Sequence, residues 1–119
     1  MSSASRSPAA DPAASADDDA VFKALASATR RQLLDRLKDG PRTTGALCAE
    51  VATLDRCTVM QHLRVLEGAG LVLVERRGRE RWNHLAAVPI KRIYDRWISG
   101  YAGPAVDLLD RLDRDLSTD

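Results

Sequence analysis

Arg56, Cys57, Gln61, His62 and Arg64 fall within one short stretch, "DRCTVMQHLRVLEGAGLV", running from Asp55 to Val72. Guanidinium, carboxamide and hydroxyl groups are the side chains that pair with base edges: Arg with guanine, Gln with adenine, Thr with several bases. Their spacing decides whether they can act together. Val59, Leu63 and Leu66 recur at i, i+4 and i+7, the pattern of a buried helical stripe. A helix turns about 100° per residue. With Val59 facing inward, Gln61, Arg64 and Cys57 therefore point nearly opposite, and Thr58 and Met60 lie on the flanks. Such a helix is at once a core element and a polar reading surface, with Thr58, Gln61 and Arg64 placed for bases. Phosphate contacts are expected from Arg56, from helix N-termini and from Thr43 or Thr44.

A second cationic group follows. The segment "ERRGRER" carries Arg76, Arg77, Arg79 and Arg81. A loop this basic suits a nucleic-acid backbone or a narrow minor groove. Arg77 and Arg79, beside the turn glycine, are the expected DNA contacts. Strand pairing could turn Arg76 and Arg81 toward the acids Glu75 and Glu80. His62 lies at the border of the inward face, where it can bond within the domain or to phosphate. Cys57 falls in the first turn of its helix, where the helix N-terminus favours a thiolate. It faces the side where DNA would lie, so it is a candidate redox thiol. The plainer reading is a small residue that fits the turn, with Cys48 a partly buried hydrophobe.

These side chains need a frame. An acidic start at Asp17–Asp19 suits a helix N-terminus, and Val21, Phe22 and Leu25 give that helix an apolar face. Ser27 or Thr29 caps a second helix with Leu33, Leu34 and Leu37 inward, stopped by Gly40-Pro41. Thr43 or Thr44 caps a third, "TGALCAEVA". Asp55 caps the fourth, and Gly70 ends it in the left-handed conformation. Two β-prone segments around Arg77-Gly78-Arg79 form a hairpin. Pro89 opens another helix, "GYAGP" breaks it, and Leu108, Leu109, Leu112 and Leu116 line a last one. The expected order is α-α-α-α-β-β-α-α, mainly helical with a small hairpin. Two short helices, a tight turn, a glycine stop and a basic hairpin make a winged helix-turn-helix, whose second helix enters the DNA major groove. Residues 1–16, rich in Ser, Ala and Pro, read as a disordered tail. Residues 17–88 read as the winged domain, and 89–119 as C-terminal helices for dimerisation.

Charge supports a polyanion partner. The net charge is only +1, but residues 1–20 hold one Arg against four Asp, and residues 102–119 hold two Arg against five Asp. The stretch between them carries 15 Lys or Arg against eight acids. A basic core between acidic tails is the footprint of a polyanion partner, most often nucleic acid, the alternative being a well-solvated surface. No apolar run reaches the roughly 18 residues of a membrane helix. The N-terminus lacks the apolar stretch of a secretory signal, so a cytoplasmic location is expected. Two cysteines are too few for a disulfide scaffold and are expected to be reduced. No paired catalytic carboxylates, nucleophile motif or phosphate loop is present, so neither an enzyme nor a cofactor is expected.

From about Val21 to Leu85 the chain resembles the arsenic-repressor (ArsR-type) family of bacterial winged-helix transcriptional regulators. "FKALASATRRQLLDRL" resembles the family's "ALADPTRRRIL" opening. "TVMQHLRVLEGAGLV" resembles its recognition helix and the start of its wing, and "GRERWNHL" its return strand. "PIKRIYDRW" resembles a subgroup with a longer C-terminal region. The resemblance implies a repressor that binds DNA as a homodimer, its first and C-terminal helices pairing across a two-fold axis. The residues agree independently: one small domain cannot easily cover Phe22, Tyr94, Trp97, Tyr101, Leu109 and Leu112, and an isologous interface would. Packing of the terminal helices on each other is the alternative. A dimer would present two recognition helices to a palindromic operator. Many members of the family sense metals, one group through a Cys-x-Cys pair near the third helix and another through Asp and His on the C-terminal helix. Here the first region has only Cys48 and the second has no His, so no metal site is expected and any effector is unknown. Besides a repressor, a protein-binding winged-helix module and a thiol-responsive repressor using Cys57 remain open.

Overall fold

The computed structural model describes the backbone of residues 12–117, and their side chains except at 12–15, 104 and 105. The chain divides into two compact units, one ending at Pro89 and the next starting at Ile90. The first contains α1 (Pro12–Leu25), α2 (Ala28–Leu37), β1 (Arg42–Thr43), α3 (Thr44–Glu50), α4 (Arg56–Gly68), β2 (Val72–Arg77) and β3 (Glu80–Leu85). Of the expected disordered tail, residues 1–11 lie outside the described residues, while 12–16 already belong to α1. Its helix starts five residues before Asp17 because Pro is well suited to a first helical position, and the alanines after it are strong helix formers.

Side-chain caps set the other helix starts. Ser27, rather than Thr29, caps α2 by accepting from the Arg30 N–H at 3.3 Å. Thr43 caps α3 through the Ala46 N–H at 3.0 Å. Asp55 caps α4 through the Thr58 N–H at 2.7 Å. Each satisfies a donor that the first helical turn leaves without a partner. The exit of α4 is equally specific. Leu71 N–H donates to the Leu66 carbonyl at 2.9 Å and Gly70 N–H to the Glu67 carbonyl at 3.0 Å. Those two bonds make a Schellman ending, which requires a left-handed residue. Gly70 supplies it at φ +77°.

The core of this unit collects one stripe from each helix. Val21 and Ala24 come from α1, Leu33, Leu34 and Leu37 from α2, Leu47 from α3, and Val59, Leu63 and Leu66 from α4, all nearly inaccessible. Leu71 and Val72 complete it where the chain enters the wing. Each such side chain stabilises the fold by roughly 1.5–3 kcal/mol relative to exposure.

The sheet has three strands, not the two of a hairpin alone. Its order is β1-β3-β2, antiparallel throughout. β1 is only Arg42–Thr43, paired with Asn83 and Trp82. β2 and β3 pair from Val72↔Leu85 to Arg77↔Glu80, leaving Gly78 and Arg79 as a two-residue loop. Gly78 has φ +63°, as the first central residue of the hairpin turns that match strand twist requires. Buried Asn83 fastens β1 from the side: its Nδ2 donates to the Arg42 carbonyl at 3.2 Å and to Thr44 Oγ1 at 3.1 Å.

The second unit continues α5 (Val88–Ile93) into a π-helical turn, Tyr94–Ile98, and then α6 (Ser99–Ser117). The expected break at "GYAGP" does not occur. The π turn offsets the hydrogen-bond ladder, with Ser99 N–H donating to the Tyr94 carbonyl, and the backbone stays helical through Pro104. An internal proline removes one ladder bond and bends a helix without having to end it. The rings of Trp97 and Tyr101 meet at 5.1 Å across the π–α junction. Leu108, Leu109, Leu112 and Leu116 on α6 are exposed.

Candidate nucleic-acid interface

The buried stripe of α4 fixes its rotation, and the opposite face is open. Arg56, Cys57, Gln61 and Arg64 are exposed, while Thr58 and Met60 are half-buried at the flanks. Both the N–H and the hydroxyl of half-buried Thr58 are engaged by the Asp55 cap. The hydrogen bond from the Thr58 N–H holds the Asp55 carboxyl below the usual carboxylate range, so the cap stays charged. Cys57 and Cys48 are both free thiols, the first exposed and the second half-buried.

Strand alternation sorts the wing arginines, and it does so differently from expectation. Arg76 and Arg81 are cross-strand partners and share the face that carries Val72, Val74 and Asn83 toward the helices. Arg81 Nη2 reaches Glu67 Oε1 on α4 at 3.2 Å. Arg77 lies on the other face. Its Nη2 donates to Glu75 Oε1 at 2.9 Å, and its guanidinium sits 4.9 Å over the Trp82 ring. His84 Nε2 approaches the same Glu75 oxygen at 3.0 Å. The Arg77 hydrogen bond, then that of His84, holds the Glu75 carboxyl below its ordinary range. Arg77, expected at the tip beside Arg79, is thus turned aside and paired. Arg76 takes its place, in a cleft of about 320 Å³ whose lining includes Thr43, Arg56, Arg76, Arg79 and Arg81 together with the acid Glu80.

One further expectation changes, for Thr44, and the two readings of His62 narrow to the bond within the domain. Thr43 caps α3 at the cleft edge, but the Thr44 side chain is buried and its hydroxyl accepts from Asn83, so it does not face a phosphate. Threonines one residue apart on a strand-to-helix junction point opposite ways, and the sheet bond to Asn83 decides which one turns in. His62 is half-buried, with Nδ1 lying 3.3 Å from Arg30 Nη1, so its ring is engaged inside the domain. Sequence reasoning missed Asn83 as a buried polar tie. It could have placed Arg76: counting by twos from apolar Val72 and Val74 leads to it directly.

The residues expected to pair two copies stand as follows. Phe22 on α1 is 39% exposed. Tyr94, Trp97, Tyr101, Leu109 and Leu112 in the second unit are 47–63% exposed.

Comparison with known proteins then places the chain. Residues 25–75 match the family model described as a helix-turn-helix domain. The chain is 37% identical over 86 residues to YuzN of Bacillus subtilis (strain 168), called an uncharacterized HTH-type transcriptional regulator. That match covers 67% of this chain and 94% of the relative. A crystal structure of an ArsR family transcriptional regulator superimposes with a TM-score of 0.62 at 26% identity, over 79% of this chain and 97% of that one. The chain belongs to the ArsR-type family of winged helix-turn-helix regulators. As an ArsR-type protein it is a DNA-binding transcriptional regulator, with α3 and α4 as its helix-turn-helix and β2–β3 as its wing. The transcriptional repressor SdpR of Bacillus subtilis (strain 168) is also similar, 37% identical over 59 residues, covering 50% of this chain and 64% of that relative. Among the described residues of this ArsR-type chain, no three His, Cys, Asp or Glu side chains cluster as metal ligands would. No described helix is long and apolar enough to cross a membrane.

Proposed function

We propose that the protein is a sequence-specific repressor that acts as a homodimer on a palindromic operator and silences transcription by occupying promoter DNA. The observation that carries this reading is the open face of α4 together with a cationic cleft that the α4 residue Arg56 also lines. Gln61 and Arg64 stand exposed on α4, and Arg56, Arg76 and Arg79 meet in the adjoining cleft. The first pair has the chemistry of base edges and the second group that of phosphates. Repression rests on similarity to SdpR, a named transcriptional repressor. Pairing of two copies is supported by the exposed aromatic and leucine residues of α6 and the π turn. A row of that kind is the sort of patch that marks an interaction surface.

Selection of bound duplexes from a random pool, using the full chain, tests the reading. The expected product has two inverted half-sites with centres about 10 base pairs, or a multiple of that, apart. Enrichment of a single unrepeated half-site, with the protein monomeric by analytical ultracentrifugation, would remove the dimer. No enrichment, with binding insensitive to salt, would remove DNA recognition and leave the protein-interaction alternative.

A further inference from the structure

One guanidinium joins three helices behind the reading surface. Arg30 stands in the first turn of α2. Its Nε donates to the Ala24 carbonyl at 2.7 Å and its Nη2 to the Lys23 carbonyl at 2.9 Å. Both carbonyls lie in the last turn of α1, where the Lys23 carbonyl also accepts from the Ala26 N–H at 3.2 Å. The remaining terminal nitrogen, Nη1, lies 3.3 Å from Nδ1 of His62 on α4. Arginine has donors only, so His62 Nδ1 accepts, and the neutral ring carries its proton on Nε2. His62 directly follows the exposed Gln61 and precedes Leu63, which is buried in the core.

We propose that Arg30 and His62 form a clasp that sets the position of α4 against the end of α1, making Arg30 a positioning residue for base reading, and that protonation of His62 opens the clasp. This rests on the DNA-binding reading above. A doubly protonated imidazole has no acceptor left and faces a permanent cation at hydrogen-bond distance. Burial, and then the Arg30 charge, already hold the His62 pKa below the usual imidazole value. The sign follows from linkage. The clasp is present above the ordinary histidine range and is lost as pH falls through the lowered value. α1, α2, α3 and β2 pack against α4, and Arg30 of α2 is the one charge among the described residues that shifts the ring. On α4 itself, Arg64 and Glu67 are exposed.

A phosphate-binding histidine would behave in the opposite way, since gaining a proton would strengthen it. The test uses this difference. Affinity of the full chain is measured by fluorescence anisotropy from pH 8 down to about pH 5.5, spanning the ordinary histidine value, at constant salt. One probe is a duplex recovered by the selection and the other an unrelated duplex of equal length. Wild type is expected to lose affinity for the selected duplex severalfold toward pH 5.5, less than the roughly tenfold that a histidine of ordinary pKa could give there, with little loss on the unrelated one. His62→Asn keeps an uncharged acceptor near the Nδ1 position, so it is expected to bind well and to show a flat profile. NMR titration of His62 adds a readout independent of DNA: Arg30→Gln should raise its pKa by removing the cation. A wild-type profile that is flat, or that tightens in acid, would overturn the clasp. So would an unchanged His62 titration in Arg30→Gln. If neither duplex is bound at any pH, the DNA-binding reading itself fails, and that result is distinct from the other two.

Discussion

The two adjacent arginines of β2 give the sharpest test of the wing. Arg76 faces the cleft with Arg56 and Arg79, whereas Arg77 is paired with Glu75 and stacked on Trp82 across the strand. Substituting each by alanine removes the same charge from neighbouring positions. If Arg76 neutralises one phosphate per protomer, a dimer carrying Arg76→Ala releases two fewer sets of counterions on binding. The slope of log affinity against log salt should then flatten by about 1.8. Between 50 and 200 mM salt, wild type would lose about 12-fold more affinity than the variant. Arg77→Ala should leave the slope close to that of wild type, because its guanidinium is held on the far face. Fluorescence anisotropy with a selected duplex over this salt range reads both slopes. If Arg77→Ala flattened the slope as much as Arg76→Ala or more, the assignment of wing faces would be wrong, and the register-based argument with it.

Two glycines, Gly68 at the end of α4 and Gly70 just beyond it, should respond in opposite directions to alanine. Gly70→Ala places a side chain at φ +77° and should destabilise by about 1 kcal/mol, a fall in Tm of about 4–8 °C for a domain of this size class. Its added Cβ meets only Pro89 Cγ at 3.8 Å, ordinary contact, so the backbone alone is responsible. Gly68→Ala changes the last residue of α4, where an added Cβ meets nothing within 4 Å, and should stabilise by a few tenths to about 1 kcal/mol. Thermal unfolding separates the two, and equal shifts of the same sign would contradict the Schellman ending. Asn83→Ala should cost about 1–3 kcal/mol by leaving the Arg42 carbonyl and Thr44 hydroxyl without their donor. The net should fall toward the lower end, because Asn83 Oδ1 is buried without a partner and its removal is a gain. Chemical denaturation measures it, and wild-type stability in this variant would show that β1 is not held by Asn83.

Local chemistry was legible from the residues, and long-range chemistry was not. The Val59, Leu63 and Leu66 stripe gave the rotation of α4, because helical period is a property of neighbours in the chain. The same holds for Asp55 at one end of that helix and Gly70 at the other. β1 escaped because two residues carry no period, and its pairing with Asn83 and Trp82 spans about forty positions. The roles of Thr43 and Thr44 followed from that pairing and could not be separated without it. Arg76 and Arg77 differ only in strand phase, which becomes fixed once Val72 is known to face the core. The helix through Pro104 was hidden because Gly and Pro together read as punctuation, and only the π turn ahead of them changes the ladder that they interrupt.

The order β1-β3-β2 leaves six-residue β2 on the outside of the sheet, with one row of backbone donors and acceptors unpaired within it. An open edge is a template for another strand, and proteins guard such edges with charge. In "VLVERR" the first three residues are apolar, and Glu75, Arg76 and Arg77 supply the guard. Charge on this edge disfavours its pairing with a further strand. Neutralising Arg76 and Arg77 together would leave an edge close to self-adhesive, and precipitation of that double variant would mimic loss of DNA binding. Charge at this edge should be removed one residue at a time.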